Sequence, residues 1–256
     1  MKHSFIDEYS HLNSFIHKLD PRTKLVAILA FILAVVLTPV GNWHIFTAYL
    51  CVLIIMLALS KLPALYVLRR SLVIIPFVLL VAVFIPFFKQ GQVAVSYDIW
   101  IWQISITYDG LLILANVLTK SWLCIVALVL LSSTTKINDL LKGLRQLGTP
   151  QVLILIVSFM YRYIFVLADE VMRLKQARDS RNFGGSWLHH MKTVGHILGT
   201  LFIRSYERAE RIYAAMLARG FDGQVRNLRN LKFGKADLYF GTAFSLILIS
   251  SYIVWL

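Results

Sequence analysis

Leu111-Leu-Ile-Leu-Ala-Asn-Val-Leu-Thr-Lys120-Ser-Trp-Leu-Cys-Ile-Val-Ala-Leu-Val-Leu-Leu131 holds a single charge in 21 residues. A helix of that length rises roughly 30 Å, the thickness of a bilayer's hydrocarbon core, so the stretch reads as a transmembrane helix. Working outward, Leu25–Val40, His44–Ser60, Leu72–Phe88 and Asp237–Leu256 read the same way, each bounded by turn or charge signals. Leu25–Val40 is short, so it runs on toward Trp43 or sits where the bilayer thins. It lacks the form of a cleavable signal, since 24 largely polar residues precede it and no small-residue cleavage site follows.

Composition agrees. Of 256 residues, 58% are hydrophobic and 15% charged, against roughly 45–50% and about 25% in an average globular chain. Mean hydropathy is +0.70. Disordered, collagen-like and disulfide-scaffold classes are excluded, and Cys51 and Cys124 both fall inside apolar runs. The expectation is an all-α polytopic membrane protein of about five transmembrane helices.

A net charge of +13 raises the question of nucleic acid, and position answers it. Lys and Arg number four in residues 1–24, three in 61–71 and 17 in 132–236, while the connections 41–43 and 89–110 hold only Lys89. With Lys120 inside a span, 24 of 26 lie on one side, which the positive-inside rule makes cytoplasmic. The charge reflects topology, with the N-terminus inside, and no nucleic-acid partner is called for.

The chain therefore divides into residues 1–131 (N-terminal segment and four spans), 132–236 (a cytoplasmic region of coupling helices) and 237–256 (a last span). Within 132–236, Thr149-Pro150 starts a helix at Gln151 that begins apolar and turns polar by Asp169. A second helix covers about Trp187–Arg219, with a possible interruption near Gly195 and Gly199. Its stripe Phe202, Tyr206, Ala209, Tyr213, Met216 is amphipathic, with Arg204, Arg208 and Arg211 expected on the opposite face. Both helices read as interfacial; the alternative, a further transmembrane hairpin from Gln151–Leu167 and Met191–Ile203, leaves the orientation unchanged.

A short repeat ends these two helices. Ala177-Arg178-Asp-Ser180-Arg181-Asn182-Phe183 and Ala215-Met-Leu-Ala218-Arg219-Gly220-Phe221 align without a gap, 38 residues apart. In each, an arginine precedes Asn or Gly, residues that enter the left-handed conformation that ends a helix. One such arginine is a helix cap worth about 0.3–1 kcal/mol. Two copies, each with a small residue before and Phe after, read as paired docking tips, because small residues admit a partner's backbone and arginine offers five donors in a plane. A partner with two equivalent grooves follows.

The segment Ser14-Phe-Ile-His17-Lys-Leu-Asp20-Pro21-Arg22-Thr-Lys24 reads on its own as the capped, cation-anchored start of the first span. Lys120, an intramembrane charge, reads as snorkelling or helix packing ahead of substrate contact. The seven histidines include one close pair, His189-His190, whose side chains point about 100° apart on a helix and make a poor metal site. Asp222 reads as a turn former. Phosphate-loop, nucleophile-elbow and zinc-helix motifs are absent from the sequence.

Over nearly its whole length the chain resembles the transmembrane coupling (T) component of energy-coupling-factor transporters. Tyr9-Ser-His-Leu-Asn-Ser14 followed by His17, Asp20, Pro21, Arg22 and Lys24 is similar to the opening of its cobalt branch, CbiQ. Ala215, Ala218, Arg219 and Gly220 are similar to the family's second arginine signature. Ala177, Arg178, Ser180, Arg181 and Asn182 match the first less well, leaving Arg178 and Arg181 as alternative principal contacts.

The resemblance implies coupling helices seated in grooves of two ATP-binding-cassette ATPases, CbiO-like. It implies substrate held by a separate CbiM-like membrane subunit with a small CbiN-like one, no cofactor or resident metal, and a bacterial or archaeal cell membrane. The substrate expected is cobalt, with nickel or a vitamin as alternatives. The competing class is a membrane-embedded lipid-modifying transferase, which predicts clustered carboxylates; the seven acids of 132–236 are instead scattered among its 17 basic residues. A channel would need polar pore-lining residues that the spans largely lack.

Overall fold

The structure is a computed structural model that describes residues 14–88, 93–99, 102–180, 186–223 and 233–253. A short α1 (Phe15–Lys18) leads into α2 (Pro21–Leu37), α3 (Trp43–Ser60), α4 (Ala64–Leu72), α5 (Ile75–Ala82) and α6 (Ile85–Phe88). A hairpin of β1 (Val93–Ile99) and β2 (Trp102–Thr107) follows, and then α7 (Tyr108–Thr134), α8 (Ile137–Gln146), α9 (Gln151–Asp179), α10 (Trp187–Leu217) and α11 (Lys235–Ile253). The protein is all-α and polytopic apart from that hairpin.

Local chemistry sets the boundaries. Asp20 caps α2 by accepting the Arg22 N–H, and Pro21 takes the first turn, where its missing N–H has no cost. Pro76 and Pro86 break the third apolar stretch. A proline removes the donor to the carbonyl four residues back, and those carbonyls belong to Leu72 and Ala82, the last residues of α4 and α5. Arg69 and Arg70, expected in a loop, lie in the last turn of α4. Residues 89–110, expected as a plain connection, contain an antiparallel ribbon with register Ile99↔Trp102 through Val93↔Thr107 and a bulge between Val93 and Val95. Its sequence does alternate with period two, as in Trp102-Gln-Ile-Ser-Ile-Thr107.

Four helical stretches are long and apolar enough to cross a membrane: Trp43–Ser60, Ala64–Ala82, Tyr108–Thr134 and Gln151–Asp179. The last is the helix assigned from sequence to the coupling region.

The chain forms two compact units, one of residues 2–147 and 231–256, the other of residues 148–230. In the first, α2 packs on α7, α8 and α11. Phe31 meets Tyr49 edge-on at 5.5 Å and Phe244 at 6.4 Å, while Val35, Leu123 and Ala127 fill the remaining core. The buried Tyr49 hydroxyl accepts from Thr38 Oγ1 at 3.5 Å and Ser251 Oγ at 3.3 Å, so its polar end is satisfied. On the outer side of α2, Leu29, Leu33 and Val36 are exposed, as suits a helix between core and lipid. Gly110 lets α7 approach α6: a Cβ there would stand 2.6 Å from Pro86 Cα. In the second unit, α9 and α10 pack together, and α10 is continuous through Gly195 and Gly199.

Candidate coupling site

The end of α10 is a complete Schellman turn. Phe221 N–H donates to Met216 O at 3.1 Å and Gly220 N–H to Leu217 O at 2.9 Å, with Gly220 at φ +75°. A Cβ at Gly220 would meet nothing within 4 Å, so the glycine is there for its backbone and not for space. Ala215, Ala218, Arg219 and Gly220 are all exposed. Arg219 stands immediately before the left-handed turn, with small residues around it.

The first tip is partly described. Ala177 and Arg178 lie in the last turn of α9, and Ser180 closes it, with its N–H and Oγ both donating to Gln176 O at 3.0 and 2.9 Å. Arg178 Nε and Nη2 donate to Asp179 Oδ1 at 2.9 and 2.6 Å, so this guanidinium is engaged by its neighbour. Arg181, Asn182 and Phe183 lie outside the described residues.

Glu170 on α9 pairs with Arg204 on α10, while Leu155, near the start of α9, shares a cleft with Met216 and Phe221 at the end of α10. The helices thus run in opposite senses over this stretch. The end of α10 returns beside the start of α9, and Asp179 lies 24 residues further along α9, roughly 36 Å at helical rise. The two tips stand at opposite ends of the pair. Arg208, expected on the polar face with Arg204 and Arg211, instead lines the cleft, since a long aliphatic stem packs against apolar neighbours.

The N-terminal motif builds a buried charge junction in the other unit. Lys24 is 3% exposed, and its Nζ donates to Thr134 O at 3.2 Å, His17 O at 3.4 Å and Thr135 Oγ1 at 3.5 Å, joining α2 to α1 and the end of α7. Burial pushes this ammonium down to about 8, against the opposing pull of Asp139, Asp237 and Asp20. His17 is held by Ser14, with Oγ to Nδ1 at 2.7 Å. Arg22 Nε lies 3.9 Å from Asp20 Oδ1, and Gly143 of α8 packs against Pro21 and Arg22.

The residue that closes the junction is Asp237, 5% exposed in the first turn of α11, which the sequence reading took only as the edge of a span. Its Oδ1 accepts from Asp20 N–H at 2.7 Å and Thr23 Oγ1 at 3.3 Å, and its Oδ2 accepts from Gly234 N–H at 2.9 Å. One carboxylate thereby satisfies donors at two helix N-termini, where the dipoles also favour negative charge. An acid at the head of an otherwise apolar run was the available signal.

Lys120 has a structural role. Its Nζ donates to Val36 O at 2.9 Å and Thr38 O at 2.5 Å, so a cation covers the carbonyl end of α2.

An all-helical membrane chain whose paired helices end in an arginine-tipped turn, and whose sequence has no nucleotide-binding motif, belongs to the class of transporter subunits that act through partners. Residues 12–230 match the CbiQ family, described as a cobalt transport protein, and the chain belongs to that family. It is 29% identical to an energy-coupling factor transporter transmembrane protein EcfT of Listeria innocua, over 100% of this chain and 99% of that one. It is 30% identical to the EcfT of Acidaminococcus fermentans, over 98% and 96%. An uncharacterized protein of Methanocaldococcus jannaschii is 29% identical over 95% and 84%. The chain is accordingly the transmembrane energy-coupling component of an energy-coupling-factor transporter, a transport subunit and not an enzyme. Its family works with ATPase and substrate-binding partners, and ATP hydrolysis belongs to the separate ATPases.

Proposed function

We propose that residues 132–236 form a cytoplasmic coupling region whose two helix tips engage two CbiO-like ATPases. Arg219 with Ala215, Ala218 and Gly220 makes one contact, and Arg181 with Ala177, Ser180 and Asn182 the other. Arg178 is assigned a supporting part, because Asp179 already occupies its guanidinium. The observation that carries this reading is the exposed Arg219 held on a left-handed glycine turn, a rigid mount for a planar donor fork.

In this reading the N-terminus is cytoplasmic, the spans number about five, and the protein sits in a bacterial or archaeal cell membrane beside a CbiM-like substrate subunit and a small CbiN-like one. The cargo is cobalt ion, on the strength of the family's description; nickel or a vitamin is the alternative, since the EcfT names mention no metal. His17, Asp20, Pro21, Arg22 and Lys24 hold the membrane helices at their cytoplasmic ends. Nucleotide closure of the ATPases moves the tips and, with them, the substrate subunit; ATP biases that change only as far as its affinity differs between the two states.

Uptake of radioactive cobalt by cells expressing the complete transporter tests the cargo. Competition by excess cobalt but not nickel supports the assignment, and the reverse transfers it to nickel.

A further inference from the structure

Between α9 and α10 lies an apolar cleft of about 410 Å³. Phe159, Tyr163 and Val166 wall it on one side, Ile212 and Met216 on the other, and Phe221, just past the Arg219 turn, closes one end. Its α9 wall belongs to a helix apolar enough to cross a bilayer, and a cleft so lined gives water few partners. Two cations accompany it. Arg208 is part of the lining, and Arg162, three residues after Phe159 and four before Val166, shares their face of α9.

Neighbouring arginines are matched by acids: Arg204 with Glu170, Arg178 with Asp179, and Arg211 at 3.9 Å from Glu207. Among the described residues, Arg162 and Arg208 have no carboxylate at ion-pair distance. A purely apolar occupant leaves both cations unanswered, whereas basic pockets between helices at a membrane face suit anionic headgroups.

We propose that this cleft binds one anionic phospholipid, with an acyl chain in the slot and the phosphate held by Arg208 and Arg162. The chain's end then lies behind Phe221, so occupancy stiffens the turn that carries Arg219. This stands on the membrane character of the protein and is independent of the ATPase contacts.

The test is native mass spectrometry of the full-length chain, released from gentle detergent after incubation with equal phosphatidylglycerol and phosphatidylcholine of identical acyl chains. The expected result is retention of the anionic lipid about tenfold over the zwitterionic one. Arg162→Gln with Arg208→Gln brings the two to parity, whereas Arg69→Gln with Arg70→Gln, outside the cleft, leaves the preference intact. Ala209→Trp, which fills the slot, lowers retention of both lipids. Equal retention by the wild type, or a preference that survives the first double substitution, overturns the proposal. So does retention of neither lipid while a photocrosslinker at Tyr213 captures a protein subunit in the assembled transporter.

Discussion

The Asp20 N–H donates to Asp237 Oδ1 at 2.7 Å, joining the start of α2 to the start of α11 across 217 positions of sequence. The bond is buried, and the same carboxylate also receives Thr23 and Gly234. Asp237→Ala strands three donors, two of them backbone, so it lowers unfolding stability by about 2–4 kcal/mol. Asp237→Asn, which keeps one acceptor, loses less. Thermal midpoints in mild detergent check the order: alanine lowest, asparagine between, wild type highest.

Lys24 makes stability depend on pH. Its folded value of about 8 lies below the ordinary 10.5 of a lysine, because burial disfavours the ammonium. Below pH 8 the fold bears the full cost of burying that charge. Between about 8 and 10.5 the unfolded chain binds more protons than the folded one, so this contribution to stability rises with pH. The thermal midpoint of wild type minus that of Lys24→Met therefore increases from pH 7 to pH 9.5. A difference that is flat or falls over that interval removes Lys24 as its source.

The junction shows where sequence reading reaches and where it stops. The spans were legible because 20-residue apolar runs have few alternatives, and the caps at Asp20-Pro21 and Gly220 were legible because their chemistry is local. Asp237 was not, since nothing nearby in the sequence reveals a donor 217 positions away. The cleft-facing position of Arg208 was missed for a related reason: a helical wheel sorts residues by polarity, while an arginine stem can pack as an apolar chain. The hairpin's period-two pattern was present in the sequence and was passed over in favour of a loop between spans.

Gly220 offers a test of the tip's geometry. With φ at +75° and open space around it, Gly220→Ala incurs about 1–2 kcal/mol of left-handed strain, and Gly220→Asn incurs less. Transport falls in the order glycine, asparagine, alanine, with the amount of protein in the membrane unchanged. Equal transport by all three shows that the turn does not aim Arg219.

Gly110 tests close packing in the membrane unit. A methyl placed there meets Pro86 Cα at 2.6 Å, backbone that cannot rotate away. Gly110→Ala is expected to destabilise by about 1–3 kcal/mol, as overpacking does, whereas Gly195→Ala, in open space on α10, stabilises slightly. Paired thermal melts of the two variants decide it.

The most direct measurement is the yield of ATPase subunits recovered with the tagged chain from gentle detergent, for wild type and for Arg181→Ala with Arg219→Ala. The paired-tip reading predicts that the double substitution lowers recovery by about tenfold or more, as loss of central arginine anchors does, while the chain itself remains in the membrane at wild-type amounts. Undiminished recovery, together with undiminished uptake, would contradict it and leave both arginines as helix caps.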